Sequence, residues 1–531
     1  MKTNVVSLNP QLIRSRIGKV CVAITGATVA EMIERAAAAL KETNFLELRL
    51  DYLDKPAAAL PKLKQFLSDN TAATVIATCR RTANGGKFDG TIAAETEILI
   101  KAAGAGFQLI DIELESASEM KKAEYQHLRE AGAALIVSYH DFKQTKDLDG
   151  IFARIEPFEP EFIKIVPTAK TLTDNVTLMR FIERMSDHSN IIGICMGDAG
   201  IISRVLGVRA GSVFTFAAAT AGEETAPGQI AARTLVETYR IDQVDAATKV
   251  YGVAGNPVRN SLSPLMMNTA FRRETVNAVY LALQADKLAD LLTLVKEIPL
   301  QGLSVTMPLK QEIMAHLERT DPLSAKIGAC NTVLRAPDGK LYGFNTDVAG
   351  VIGPLEKRMP LRGAKVLVLG AGGAARAAVF GLKDKGAEVT ILNRTPETAA
   401  KLAKQAGAKV IKKEAMAKST FDVIVNATPI GMAGSKGAPL LAENELNAKL
   451  VFDMVYNPIE TPLIAMARRK TIPVIAGIEM FVQQGARQFE IWTGKPAPEE
   501  EMLRVVLHAL RQQAETAPAE VAVKAKAKAA K

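Results

Sequence analysis

The chain is short of cysteine, histidine and long apolar runs, and each shortage excludes something. Cys21, Cys79, Cys195 and Cys330 lie far apart in 531 residues, with no CxxC pair. Scattered single thiols build neither a disulfide framework nor a zinc site, and they fit a reducing cytoplasm. No apolar stretch approaches the roughly 20 residues that a membrane-spanning helix needs. The opening MKTNVVSLNPQLIRSRIGK is basic but lacks an apolar segment, so a secretory signal is not expected. The formal net charge of +9 comes partly from the Ala/Lys-rich end AEVAVKAKAKAAK. Elsewhere Lys and Arg are dispersed without the aromatic interleaving of a nucleic-acid platform, and anionic small substrates account for the balance equally well. No repeat of solenoid period is found.

What is present is ordinary globular composition, 48% hydrophobic and 23% charged, at a length that calls for two to four cores. Short apolar runs recur through the first half, each followed by a helical pattern: VCVAI (20–24), FLELRLD (45–51), TVIATCR (74–80), FQLIDIEL (107–114), ALIVSYHD (134–141), FIKIVPT (162–168), IIGICMG (191–197) and VFTFAAAT (213–220). Eight such runs predict a closed parallel (β/α)8 barrel over 15–235, with an open doubly wound sheet as the competing arrangement. The polar stretch VETYRIDQVDAATK at 235–248 carries no strong strand signal and marks a boundary before the fresh strand KVYGVAG.

In such barrels chemistry sits where strands give way to loops. Those ends carry Glu47, Arg49, Arg80, His140 and Lys164, with Arg204, Thr225 and Gln229 in a later loop. Lys164 interrupts FIKIV, and alternation with Phe162 and Val166 points it to one face. Turned inward, a desolvated lysine loses charge, and its neutral amine can attack a carbonyl. Turned outward, it is an ordinary helix-facing residue. His140 ends the preceding strand and can take and return a proton near neutrality. Arg204 offers a fork that suits a carboxylate, and Thr225 and Gln229 offer neutral hydrogen bonds.

Through ELRLD, TCR, SYHDF, FIKIV, MGDAGIISRVLG and TAPGQ this half resembles the type I 3-dehydroquinate dehydratases. The resemblance implies that Lys164 forms an imine with the substrate ketone, while His140 removes the neighbouring proton and assists loss of water. It also implies that Arg204 holds the carboxylate, with Glu47, Arg49, Arg80 and Gln229 orienting ring hydroxyls. Two positions depart from the family pattern. Asn84 in RRTANGG stands where a glutamate is usual, which implies reduced dehydratase activity, and Thr225 stands where serine is usual.

In the second half, VLVLGAGGAARA sets Gly370, Gly372 and Ala375 in a G-x-G-x-x-A turn between strand and helix, with Gly373 beside them. Small residues there let the backbone approach a pyrophosphate at the helix N-terminus. The next strand ends in Asn393, Arg394 and Thr395 rather than in an acid, which favours the 2′-phosphate of NADP; the bland alternative is a surface arginine. Upstream, GLSVTMPLK, IGACNTV and GFNTDVAG place polar clusters between apolar strands. Lys310 and Asp347 form a candidate acid–base couple, or equally a structural ion pair.

From about 249 to 512 the chain resembles the shikimate dehydrogenases, including DMVYNP and GIEMFVQQGARQFEIWTG. The resemblance implies a two-domain α/β dehydrogenase: a substrate domain at 249–350 completed by 477–512, a Rossmann NADP-binding domain at 351–476, and a disordered tail at 513–531. It implies that Ser261 and Ser263 bind the substrate carboxylate, that Thr306, Asn331, Asp347 and Gln484 contact ring hydroxyls, and that Lys310 and Asp347 are the catalytic pair. Gly370, Gly372, Gly373, Asn393, Arg394 and Thr395 would hold NADP, with Tyr456 and Met480 near the nicotinamide. Ser304 replaces the asparagine common in the SVT motif. Two alternatives stand beside this assignment. One is a dehydrogenase that uses quinate, against which Ser263, Thr306 and the basic NADP patch argue. The other is a non-catalytic metabolite sensor on the same folds, against which the presence of all four catalytic groups argues.

Overall fold

In the computed structural model, which describes residues 10–529 other than 299, 434 and 436–440, all eight apolar runs of the first half contain strands. These are β1 (Val20–Ile24), β2 (Phe45–Arg49), β3 (Thr74–Thr78), β4 (Leu109–Glu113), β5 (Ala134–His140), β6 (Phe162–Val166), β7 (Ile191–Gly193) and β8 (Thr215–Ala218). Their order is β7-β6-β5-β4-β3-β2-β1-β8 and the ladders are parallel. At the remaining seam, Val213 N–H donates to Ile191 O at 2.8 Å and Gly193 N–H to Ser212 Oγ at 3.1 Å. The result is the (β/α)8 barrel that the alternation implies.

Strand alternation then builds the site from its floor. Cys21, Phe45, Ile76, Leu109, Ile136, Phe162 and Ile192 form one buried cluster, to which the helix Pro10–Arg16 adds Ile13. Phe214 lies edge-on to Phe45 with centroids 4.8 Å apart. Side chains two residues further along each strand share that inner face. Phe45 is followed by Glu47 and Arg49, Leu109 by Asp111 and Glu113, Ile136 by Ser138 and His140, and Phe162 by Lys164 and Val166. A one-residue slip would send the whole polar layer outward, so the apolar floor fixes the register of the chemistry above it.

The main division between the chain's two compact units falls after Thr248. The second unit opens with β9 (Lys249–Gly255), β10 (Ala278–Gln284), β11 (Leu300–Val305), β12 (Arg319–Thr320), β13 (Thr332–Arg335) and β14 (Leu341–Phe344), ordered β10-β9-β11-β13-β14-β12. This sheet is mixed, with β9 and β11 parallel but β11, β13 and β14 antiparallel. Next come β15 (Lys365–Leu369), β16 (Glu388–Leu392), β17 (Lys409–Val410), β18 (Phe421–Asn426), β19 (Ala448–Asp453) and β20 (Val474–Ile475), all parallel in the order β17-β16-β15-β18-β19-β20. That order is the doubly wound dinucleotide fold, whose crevice opens where it reverses, between β15 and β18.

After β20 the helix Gly477–Thr493 returns to the first sheet, where Trp492 donates to Val333 O at 3.0 Å. A final helix, Glu499–Ala529, buries Met502, Val506 and Leu510 in the same core. The tail expected to be disordered over 513–531 is therefore helical as far as 529; residues 530 and 531 lie outside the described residues. The four cysteines are unpaired and buried. Among the described residues no helix is long and apolar enough to cross a membrane.

Two candidate active sites

In the barrel, one cavity is lined by Glu47, Arg49, Arg80, His140, Lys164, Arg204, Thr225 and Gln229, the polar residues expected at the strand ends and in the later loop; Asn84 is not among its lining residues. Apolar walls come from Phe142, Val166, Ile194, Met196 and Phe216. Lys164 points inward and is 4% exposed. Its Nζ lies 2.8 Å from Asp111 Oδ2, 3.8 Å from Glu47 Oε1, and 4.0 Å above the Phe216 ring. The expectation that burial alone would strip its charge overlooked Asp111. Burial pushes that carboxyl up, but Lys164, Arg80 and a hydrogen bond from Ser138 outweigh it and hold it well below the usual range. The resting lysine is therefore ion-paired.

His140 Nδ1 lies 2.5 Å from Glu113 Oε1. Burial keeps the imidazole well below its ordinary value, and Arg80 and Lys164 push it further, so the ring is neutral. Burial also lifts the Glu113 carboxyl to about 7, against the opposing charge of Arg80. Arg80 reaches Asp111 at 3.5 Å and Glu113 at 3.8 Å, and Arg49 is held by Asp51 through two bonds of 2.9 and 2.7 Å. Arg204 differs from both. It is buried and donates to Gly228 O and Phe216 O, yet no carboxylate among the described residues pairs with it. An unneutralised buried cation is costly unless an anion completes it, and this one faces the cavity. Thr225 N–H and Oγ1 both donate to Gln229 Oε1, at 2.7 and 3.1 Å. At position 84, the side-chain oxygen of Asn84 is buried with no hydrogen-bond partner.

In the second unit, Lys310 Nζ lies 2.5 Å from Asp347 Oδ2. Asn331 holds the same carboxylate, its Nδ2 donating to Asp347 Oδ1 at 2.8 Å, while Thr346 N–H donates back to Asn331 Oδ1. Thr306 follows β11, its N–H donating to Ala254 O at 2.9 Å. Ser263 begins the helix Ser263–Arg273 and donates its N–H to Ser261 Oγ at 3.2 Å. Tyr456, beyond β19, takes Ser261 and the Leu262 amide as hydrogen-bond partners and stacks on Phe481 at 4.3 Å. Gln484 donates to Phe481 O at 2.9 Å, and Met480 is buried in the Rossmann core. Ser304 is no mere small replacement: it accepts from Tyr280 and donates to Gln488 at 2.7 Å, and Gln488 donates to Thr332 Oγ1 at 3.1 Å.

The glycine turn fits a dinucleotide. Gly370 adopts φ +109°, and a Cβ there would lie 2.9 Å from Thr428. Gly372 caps the helix Gly373–Asp384 without a side-chain bond, leaving the first amides open to an anion. A Cβ at Gly373 would meet the Lys310 side chain at 3.3 Å, so the candidate proton donor borders the cofactor turn. Asn393 donates to Thr395 O at 3.0 Å, and Arg394 is exposed beside them.

Asp111, Glu113, Ser138 and Gln488 escaped sequence reasoning. The first two were legible in principle. Acids two apart inside the apolar run FQLIDIEL carry the same signal that singled out Lys164.

A parallel barrel holding a buried lysine beside a histidine, followed by a two-lobed dehydrogenase of the dinucleotide-binding type, defines a two-enzyme chain. Residues 20–246 match the type I 3-dehydroquinase family, 253–333 the shikimate dehydrogenase substrate binding domain, 355–447 the shikimate/quinate 5-dehydrogenase family and 477–507 the shikimate 5′-dehydrogenase C-terminal domain. The chloroplastic bifunctional 3-dehydroquinate dehydratase/shikimate dehydrogenase of Arabidopsis thaliana is 34% identical over 515 residues, covering 93% of this chain and 83% of that protein. The chain belongs to this bifunctional family. The NADP(+) shikimate dehydrogenase of Methanosarcina acetivorans is 39% identical over 279 residues, 50% of this chain and 99% of its own. The solved structure of dehydroquinate dehydratase and shikimate dehydrogenase from S. pombe AroM has 24% identity and a TM-score of 0.42, covering 94% of this chain and 99% of that one.

Proposed function

We propose that this chain dehydrates 3-dehydroquinate to 3-dehydroshikimate and then reduces that ketone to shikimate with NADPH. The observation that carries the first step is Lys164, buried beside His140 in a cavity that also holds the unpaired cation Arg204. Lys164 passes a proton to its surroundings and attacks the ketone; loss of water gives an iminium. The nitrogen then acts as an electron sink. His140 Nε2 takes the proton from the neighbouring carbon, the C–H pair forms a C=C bond, and the iminium becomes an enamine. The enamine expels the hydroxyl, which leaves as water with the proton held by His140, and hydrolysis frees Lys164. Arg204 fixes the carboxylate, while Glu47, Arg49, Arg80, Thr225 and Gln229 orient the ring.

For the reduction, Ser261 and Ser263 take the carboxylate, and Thr306, Asn331 and Gln484 take ring hydroxyls. NADPH supplies a hydride when bound at the turn of Gly370, Gly372 and Gly373, with Asn393, Arg394 and Thr395 around its 2′-phosphate and Tyr456 and Met480 near the nicotinamide. Lys310 donates a proton to the carbonyl oxygen, and Asp347, 2.5 Å from its Nζ, aims it. Four buried unpaired thiols support a reducing, cytoplasmic setting. The test is to supply 3-dehydroquinate with NADPH and follow enone absorbance and cofactor oxidation together. Enone formation followed by NADPH loss is expected; absence of either signal removes the corresponding half.

A further inference from the structure

The two reacting groups of the barrel are joined by an unbroken line of hydrogen bonds. Lys164 Nζ donates to Asp111 Oδ2 at 2.8 Å. Ser138 Oγ lies 2.5 Å from Asp111 Oδ1 and 2.5 Å from Glu113 Oε2. Glu113 Oε1 meets His140 Nδ1 at 2.5 Å. All of these side chains are buried. They stand on β4, β5 and β6, and register sets them side by side: Glu113 pairs with Ser138, and Ser138 with Lys164.

Counting hydrogens gives the line a direction. A hydroxyl has one hydrogen, yet Ser138 touches two carboxylate oxygens; its third neighbour, Ile112 O, is 3.4 Å away. One carboxyl must bring its own proton. Asp111 is held ionised by Lys164 and Arg80, whereas burial raises Glu113 to about 7. Glu113 is therefore the proton carrier: its Oε2–H donates to Ser138, Ser138 donates to Asp111, and Glu113 Oε1 accepts from His140 Nδ1–H. Each link from His140 to Asp111 then points the same way, and Lys164 donates to the far oxygen of Asp111. The charged groups facing this line are Arg80 on both carboxyls, Glu47 beside Lys164, and Arg49, whose charge acts on His140.

We propose that Asp111, Ser138 and Glu113 form a proton relay that couples His140 to Lys164 during dehydration. When His140 Nε2 takes the substrate proton, the ring becomes imidazolium as the iminium on Lys164 becomes a neutral enamine. Asp111 loses the nearer of its two counter-cations, Arg80 remaining at 3.5 Å, at the step in which His140 gains a charge. A shift of three protons, Nδ1 to Glu113, Glu113 to Ser138 and Ser138 to Asp111, moves that charge across the site. It leaves His140 neutral with Nε2–H, Glu113 and Ser138 each holding one proton as before, and Asp111 neutral. The reverse shift returns the proton for the departing hydroxyl, so the count closes over the cycle. The shift neutralises His140 and Asp111 together, and Arg80 remains as the charged group on the line.

This inference rests on the imine assignment to Lys164. The decisive variant is Ser138→Ala, which cuts the line and removes no charge. Borohydride trapping with 3-dehydroquinate should still label Lys164 in the variant, with KM little changed. The dehydratase kcat should fall by about 100-fold, and the curved proton inventory of the parent in H2O/D2O mixtures should become linear. A wild-type kcat with an unaltered inventory would overturn the relay. Should the variant fail to trap the adduct, the parent protein still decides by infrared difference spectroscopy. A protonated carboxyl band at pH 6 that disappears in Glu113→Gln is expected; its absence in the parent refutes the relay. If the parent itself forms no adduct on Lys164, the imine assignment is wrong, while the infrared result still rules on Glu113.

Discussion

Lys164 and Lys310 are both paired with an aspartate, and the rest of their surroundings separate their chemistry. Lys164 lies under a barrel rim with its side chain 5% exposed, near a second carboxylate and an aromatic ring. Lys310 is 16% exposed and borders an open glycine turn. The first pair is enclosed, with Asp111 2.8 Å and Glu47 3.8 Å from the amine. The second pair is more open, and Asn331 holds its carboxylate from behind. On the proposed function the same two residue types make a nucleophile in one half and a general acid in the other, and enclosure separates the two sites.

The largest effect expected from breaking this contrast is at Lys164. Lys164→Ala should cost dehydratase turnover roughly 10⁴-fold or more, since only binding and electrostatic assistance remain, and should leave shikimate oxidation unchanged in the same preparation. Enone absorbance and NADP reduction read the two activities. Lys310→Ala should do the converse, lowering dehydrogenase kcat about 1000-fold with little change in KM, as removal of a general acid does; a KM effect alone would make Lys310 a binding residue. Arg204→Leu should raise the dehydratase KM roughly 30-fold, the worth of a charge-assisted hydrogen bond of about 2 kcal/mol, with adduct formation at saturation retained. The smallest effect belongs to the exposed Arg394. Arg394→Ser should weaken NADPH about tenfold relative to NADH, near 1.4 kcal/mol, and unchanged cofactor preference would place the 2′-phosphate elsewhere.

Much of the architecture was legible because periodicity is a local property. The eight barrel strands fall inside the apolar runs, and the β15 turn lies where GAGG places it. Lys164 was legible in part for the same reason: alternation put it on one face with Phe162 and Val166, and the barrel makes that face the inner one. Asp111 and Glu113 were equally visible in DIEL, but their importance depends on which strand lies beside β4. At the end of the chain, low complexity led to an expectation of disorder where the final helix runs on to Ala529.

By itself the sequence determined the strand and helix pattern, the glycine turn with its basic strand end, and the presence of a lysine and a histidine at neighbouring strand ends. These follow from spacing along one chain. Only the tertiary structure decided that Lys164 rests against Asp111, that Arg204 alone among the named barrel cations has no carboxylate, and that Ser138 bridges two acids. The first and last of those depend on register between strands some 25 to 50 residues apart in sequence, and proton placement in a buried site depends on every neighbour at once.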